Sequence, residues 1–307
     1  HTRLRTLVSK AFNRSQIERL APRIDSIIVE LLNNCEAKKE FDLLADFAEP
    51  LPVRVIAELL GVSKKDEHLL RPWSQAIVKM YEFGVTPEEE SQAEIASREF
   101  AAMITDMVNV RKKNPTDDLV SELAQVEDSG EKLTLRELIA TCVLLLNAGH
   151  EASVNAFGNG FVASINDENA SSLLRTQPRV ISETAVEEFL RFDAPLQLFE
   201  RTALADTEIG GVTIKTGEKI AALLGSANRD EKVFNDASSI DLTRNPNNHI
   251  AFGGGIHFCL GAPLARLEMN RSLPALFEKF PAISIIKEPI QRQSFVLRGY
   301  HEISVSA

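Results

Sequence analysis

Apolar residues recur at helical spacing along most of the chain, and strand-like alternation is confined to short stretches late in it. Leu4, Leu7 and Val8 mark a first helix. Ile17, Leu20, Ile24, Ile27, Ile28 and Leu31 lie on one face of a second, and Ser15-Gln16-Ile17-Glu18 reads as its capping box. Pro50, Pro52 and the run Val53 to Leu60 predict a helix stopped by Gly61, and Ser63 starts the next. Thr86-Pro87-Glu88-Glu89 combines a cap, a proline in the first turn and acids at the positive end of the dipole, which predicts a helix through Val110 with its charges on an exposed face. Asn114-Pro115 and Asp128-Ser129-Gly130 are loops around a short helix, Asp118 to Val126. Thr134-Leu135-Arg136-Glu137 opens a helical pattern running to about Asn166, which at ~1.5 Å per residue is long enough to cross the whole molecule. Arg179 to Phe192 is the next helix. Ala194 to Arg201 is extended and turns at Pro195, Gly210-Gly211 joins a hairpin, and Thr216-Gly217 starts another strand. Asn228-Arg229-Asp230 marks a helix end, while Phe295 to Gly299 and Ile303 to Val305 read as two strands. The pattern predicts a mainly α fold with small β-sheets.

With 307 residues, 44% of them apolar, the chain can bury a deep core as one large domain or two. No internal repeat is visible. The apolar run Cys142 to Leu146 falls far short of the ~18 residues that span a bilayer, and no signal peptide precedes it, so no membrane partner and a cytoplasmic location are expected. Cys35, Cys142 and Cys259 lack C-x-x-C pairing, which argues against a zinc site or a disulfide framework; the first two read as packing residues. A net charge of −10 argues against nucleic acid as a partner. A local basic face is still expected from Arg3, Lys10, Arg14, Arg266 and Arg271, on two helices near the Cys259 end.

The stretch that carries chemistry is Phe252-Gly253-Gly254-Gly255-Ile256-His257-Phe258-Cys259-Leu260-Gly261. Its glycines let the backbone take positive φ and approach a flat ligand. Cys259 stands where the loop becomes a helix, Ala262 to Glu268, and backbone N–H groups and the helix dipole there stabilise a thiolate; Pro263 in the first turn is no obstacle. This F-x-x-G-x-H-x-C-x-G pattern resembles the haem-binding loop of the cytochrome P450 superfamily. The resemblance implies that Cys259 is the proximal iron ligand of haem b, that Phe252 packs beside the sulfur, that His257 reaches a haem propionate, and that Gly253 and Gly261 shape the loop. It also implies a cytochrome P450 fold lacking its N-terminal helices and part of its sheet. Residues 1–307 then read as a single, N-terminally truncated haem-binding domain.

Other motifs take their meaning from the same resemblance. His1 and Arg5, one turn apart, match the family's H-x-x-x-R propionate pair, and Arg201 is expected to join them. Ala148-Gly149-His150-Glu151-Ala152-Ser153 resembles the A-G-x-E-T oxygen-binding segment. Gly149 costs the helix up to ~1 kcal/mol against Ala, and a ligand pressed on the helix is the expected reason. Ala152 replaces the threonine whose hydroxyl helps deliver protons to dioxygen, and Ser153 points about 100° away from that position. Glu151 reads either as a proton gate or as a solvated helix glutamate. Glu188 and Arg191 form E-x-x-R, and with Arg244 are expected to make a buried ion network that fixes the cysteine loop. Leu196, Gln197 and Leu198, with Phe295 and Val296 from the C-terminal strands, are expected to line the substrate pocket. The implied function is monooxygenation of a small apolar organic substrate with O2, using NAD(P)H-derived electrons from a separate ferredoxin and ferredoxin reductase. A peroxide-driven peroxygenase and a non-catalytic haem sensor are the alternatives. The missing threonine favours the first, whereas the lack of an arginine in the Ala148 to Ser153 segment counts against it; the intact loop and E-x-x-R pair count against the second.

Overall fold

A computed structural model describes residues 1–128 and 130–307. The described helices are α1 (Thr2–Ala11), α2 (Arg14–Glu36), α3 (Pro50–Leu60), α4 (Leu70–Val78), α5 (Pro87–Arg111), α6 (Leu119–Gln125), α7 (Leu135–Ile165), α8 (Glu168–Thr176), α9 (Pro178–Phe192), α10 (Leu224–Ala227) and α11 (Ala262–Lys279). Small antiparallel sheets accompany them. In the largest, Ser304–Ser306 lies between Glu40–Asp42 and Ser284–Ile285, with Phe41 opposite Val305 and Val305 opposite Ile285. Leu198–Thr202 pairs with Lys219–Leu223, and Gly210-Gly211 turns the expected hairpin between Thr207–Ile209 and Val212–Ile214.

The axis of the molecule is α7, which packs against α3, α4, α5 and α9. Thr134 caps it through a reciprocal box with Glu137, as Thr86 does for α5 with Glu89. From Val154 to Val162 every residue is buried; the stretch is apolar or glycine except for Asn155 and Asn159, and Asn159 donates to the carbonyls of Asp193 and Arg298. A methyl group on Gly160 would overlap the ring of Phe189 on α9, one residue from Glu188. Gly160→Ala is therefore expected to destabilise the fold by ~1–3 kcal/mol through overpacking, read as a lower urea midpoint at unchanged m-value.

Several sequence expectations need correction. The second helix begins at Arg14, and its cap is Asn13, whose side chain accepts the Gln16 N–H at 3.2 Å; Ser15 is already inside the first turn. After Gly61 the chain turns at Ser63, whose carbonyl accepts from Asp66 and Glu67, before α4 begins at Leu70. The helix after the cysteine runs well past Glu268 to Lys279. Phe295 to Gly299 is not a strand. The amides of Phe295, Val296 and Leu297 all donate to the Glu82 carboxylate, so a side chain takes the place of a neighbouring strand; regular pairing starts only at Tyr300–Glu302, against Ile290–Gln291. Of the Asp128-Ser129-Gly130 loop, Ser129 lies outside the described residues.

Candidate functional site: the cysteine loop and the long helix

In the cysteine loop, Gly253 (φ 69°) and Gly255 (φ 63°) adopt the left-handed conformation, which a side chain would disfavour, while Gly254 is extended. Added Cβ atoms at Gly254 and Gly255 would meet nothing within 4 Å, so this stretch of loop is open. The Cys259 N–H closes the turn on the Phe252 carbonyl at 2.9 Å. At the start of α11 the Gly261 and Ala262 N–H groups donate to the Cys259 sulfur. Burial pushes the thiol up; those two donors, with Arg5 and Arg266, oppose the rise without cancelling it. A metal ion on the sulfur would remove the proton outright.

The first turn of α1 meets this loop. Arg5 Nη2 donates to the Phe258 carbonyl at 2.7 Å, and the His1 and His257 rings lie 4.3 Å apart. Arg201 stands on a separate strand, exposed, with Nη1 on the Glu200 carbonyl at 2.8 Å and its guanidinium 5.5 Å from the Phe199 ring.

Two adjacent carboxylates on α9 hold the approach to the loop. Glu188 and Arg191 are both 0% exposed. Arg191 pairs with Glu188 through two 2.7 Å hydrogen bonds and donates also to the carbonyls of Asn228, Ala237 and Ser239, so all five of its N–H donors are used. Glu188 additionally accepts from the Asp241 N–H, Arg244 Nε at 3.2 Å and Asn247 Nδ2. The expected network is present, with Asn247 as an unforeseen member.

Its neighbour Glu187 was not legible as a site residue. Glu187 takes a bidentate pair from Arg266 on α11, at 2.6 and 2.7 Å, and a 2.9 Å contact from His249 Nε2. Burial alone would raise the Glu187 carboxyl, but these partners outweigh it and bring it down to about 2. The Arg266 guanidinium lies 4.6 Å from the Phe252 ring centroid and so braces the loop from the helix side. Four of the five residues of the expected basic face are ion-paired. Arg266 is matched by Glu187, Arg3 by Glu137, Arg14 by Glu18 at 2.7 Å and Arg271 by Asp25 at 2.5 Å.

On α7, Leu144 (57% exposed) and Ala148 are open, and Ala152 and Ser153, a turn further on, are partly so. Gly149 faces elsewhere. Its absent Cβ would lie 2.7 Å from Ile56 Cδ1 of α3, so close helix packing supplies the reason for this glycine rather than a ligand. Glu151 is buried and ion-paired to Arg292 Nη1 at 2.7 Å, which removes the solvated reading. No local signal pointed to Arg292, which is 141 residues away in sequence. Among the expected pocket residues, Leu196 bridges Leu297, Leu198 and Val296 are buried, and Phe295 is exposed. The Gln197 side chain folds back, donating to the Ala194 carbonyl at 2.6 Å, and is not offered to a ligand.

These residues fit a haem: one sulfur carrying two N–H donors, apolar surface left open on Ile256 (71% exposed), Phe258 and Leu144, and two imidazoles with an arginine at the loop's edge. The fold and the loop together define the haem-thiolate class. The family described as Cytochrome P450 matches residues 177–298, which include both E-x-x-R and the cysteine loop, and the chain belongs to the cytochrome P450 family. It is accordingly a monooxygenase-type oxidoreductase whose cofactor is haem b. The polyketide biosynthesis cytochrome P450 PksS of Bacillus subtilis (strain 168) is 40% identical over 310 residues, covering 100% of this chain and 75% of that protein. The 6-deoxyerythronolide B hydroxylase of Saccharopolyspora erythraea is also 40% identical, over 99% of this chain and 75% of its own length. Among solved structures, P450BioI in complex with an acyl carrier protein ligated to hexadec-9Z-enoic acid superposes with a TM-score of 0.94 at 36% identity, covering 100% of this chain and 79% of that one. Among the described residues no helix is long and apolar enough to cross a membrane.

Proposed function

We propose that the chain is a single haem-binding domain of a cytoplasmic monooxygenase, which inserts one atom of O2 into an apolar organic substrate with electrons from a ferredoxin and its reductase. The observation that carries this reading is the Cys259 sulfur, set at the head of α11 with the Gly261 and Ala262 N–H groups directed at it. Cys259 would hold the iron, Phe252, under the Arg266 guanidinium, would pack beside the sulfur, and His1, Arg5, His257 and Arg201 would take the propionates. Haem b, when bound, supplies the reductive activation of dioxygen. The Glu188–Arg191–Arg244 network and the Glu187 brace keep the sulfur in place, while Leu196, Leu198 and Val296 supply apolar wall.

The protein's own part in proton delivery departs from the family pattern. A methyl at Ala152 neither donates nor accepts, and Ser153 is turned about 100° along the helix, so the substrate or a water it pins completes the relay from Glu151. The substrate therefore carries a hydroxyl or carbonyl near the carbon that is oxidised. One relative is named for polyketide biosynthesis and another is held in complex with an acyl carrier protein ligated to hexadec-9Z-enoic acid, and both names point to largely apolar, oxygen-bearing molecules. For a matched pair of substrates with and without that oxygen, both are expected to bind, but only the first to give product in proportion to NAD(P)H consumed. Equal coupling for the two would sink the idea.

Ala152 also favours the peroxide-driven reading. Arg292 does reach this part of α7, but the Glu151 carboxylate holds it, so it is not free to anchor a substrate carboxylate. Product formation with a surrogate ferredoxin system, compared with peroxide alone, separates the two.

A further inference from the structure

The two arginines that act on the Cys259 sulfur are held differently. Arg5 donates to the Phe258 carbonyl at 2.7 Å and has no carboxylate partner among the described residues. Arg266, in the second turn of α11, is gripped by Glu187 through two hydrogen bonds of 2.6 and 2.7 Å. Glu188, the next residue on α9, is instead taken up by Arg191 and Arg244. Glu187 also holds His249: Nδ1 of that ring accepts the Ala251 N–H at 3.2 Å, so its proton stands on Nε2, 2.9 Å from the carboxylate. Both partners lie against one aromatic ring. The Arg266 guanidinium is 4.6 Å and the His249 ring 6.0 Å from the Phe252 centroid, and the Phe252 carbonyl accepts the Cys259 N–H at 2.9 Å. One carboxylate thus governs both a charge and a ring next to the sulfur.

The charge is the part that reaches the chemistry. Burial raises the Cys259 thiol, and Arg266 is among the groups that oppose the rise by favouring negative charge on the sulfur. Glu187 is itself an anion near neutral pH, because Arg266 and His249 outweigh its burial and bring the carboxyl down to about 2. A bidentate pair of opposite charges acts at a distance as a dipole, and its field falls off faster than that of a lone guanidinium. One-electron reduction of the iron adds one negative charge to the site, breaks no bond and takes up no proton. A lone cation near the sulfur favours that added charge, and an anion bound to the cation removes most of the advantage. The Arg266 and Glu187 side chains are 34% and 26% exposed, so water screens part of the effect.

We propose that Glu187 is a positioning residue that keeps the reduction potential of the haem-thiolate low by neutralising Arg266. It acts through Arg266 and not on the cofactor, and its role rests on the haem-thiolate reading above. The carboxylate is needed for its charge as well as for the hydrogen bonds that steady the loop.

The test measures the midpoint potential of purified holoprotein, by spectroelectrochemical titration, for wild type, Glu187→Gln, Glu187→Asp, Arg266→Gln and the double variant Glu187→Gln/Arg266→Gln. Glutamine still accepts from Arg266 but carries no charge, so Glu187→Gln is expected to shift the one-electron equilibrium roughly tenfold toward the reduced form, an upward move of about 59 mV. Aspartate keeps the charge and is expected to hold the potential near wild type even where the shorter side chain loosens the loop. Arg266→Gln leaves Glu187 as an uncompensated anion and is expected to lower the potential, while the double variant restores the balance and returns it toward wild type. High salt is expected to shrink the shift of each single variant. A purely mechanical brace gives no such pattern, since loosening the loop moves all three glutamine variants in one direction. An unchanged or lowered potential in Glu187→Gln, or shifts of the same sign in both single variants, overturns the proposal. If Arg266→Gln does not retain haem, the difference between Glu187→Gln and Glu187→Asp decides. The reduced carbon monoxide spectrum of the same samples separates the two readings: a red-shifted band in wild type with a potential indifferent to Glu187 sinks the tuning role alone, whereas absence of the band in wild type sinks the thiolate ligand with it.

Discussion

Cys259→Ser is expected to abolish the strongly red-shifted Soret band of the reduced carbon monoxide complex, while Cys35→Ser and Cys142→Ser leave it in place. The three thiols differ in setting. Cys142 is enclosed within α7 and pushed up to about 12, and Cys35, beside Asp46 at the end of α2, is pushed up to about 11; burial is the main cause in both. Neither is offered a route to an anion. Cys259 is only partly buried, two backbone N–H groups point at its sulfur, and Arg5 and Arg266 add positive potential. A serine there keeps both N–H partners, so the fold survives, but its hydroxyl is a far weaker acid and not a soft donor. The spectrum is the readout. A band retained in Cys259→Ser, or lost with either buried cysteine, moves the ligand elsewhere.

Arg191→Ala is expected to cost ~3–5 kcal/mol and to prevent stable cofactor retention, because it strands Glu188 as a buried charge and unties three backbone carbonyls. Those carbonyls, at Asn228, Ala237 and Ser239, belong to the irregular segment that leads to the cysteine loop, and Asn228 also accepts the Ile250 N–H through its side chain at 2.8 Å. Arg191→Lys is expected to lose nearly as much, since an ammonium cannot replace five donors in a fixed fork. Arg244→Ala removes one 3.2 Å contact from a carboxylate that keeps its other partners, and should cost least. Urea midpoints and the haem content of purified protein rank the three. A loss below about 1 kcal/mol for Arg191→Ala would reduce the network to decoration.

Much of this architecture was open to a reader of the chain. The Thr86 and Thr134 boxes, the Gly61 stop and the Gly210-Gly211 hairpin are set by neighbours a few residues apart, and all four stand where the pattern put them. E-x-x-R was legible for the same reason: residues at i and i+3 share a helix face. Ser15 misled because Asn13, two residues earlier, was equally good as a cap, and local rules rank such competitors poorly.

By itself the sequence determined the helices, the loop's left-handed glycines and the lone cysteine at a helix start, because each depends on backbone preference and short-range spacing. Tertiary structure decided several meetings of charges far apart in the chain. Arg266 turned inward to Glu187, Arg292 crossed to Glu151, and Glu49 came against His150, pairs separated by 79, 141 and 101 positions. It also decided that Gly149 makes room for Ile56 and that the Glu82 carboxylate, not a strand, takes the amides of Phe295 to Leu297. Such contacts follow from how α3, α4, α7, α9 and α11 pack, and a buried charge or amide then takes whichever partner that packing brings within reach, because leaving it unpaired costs more than any local preference.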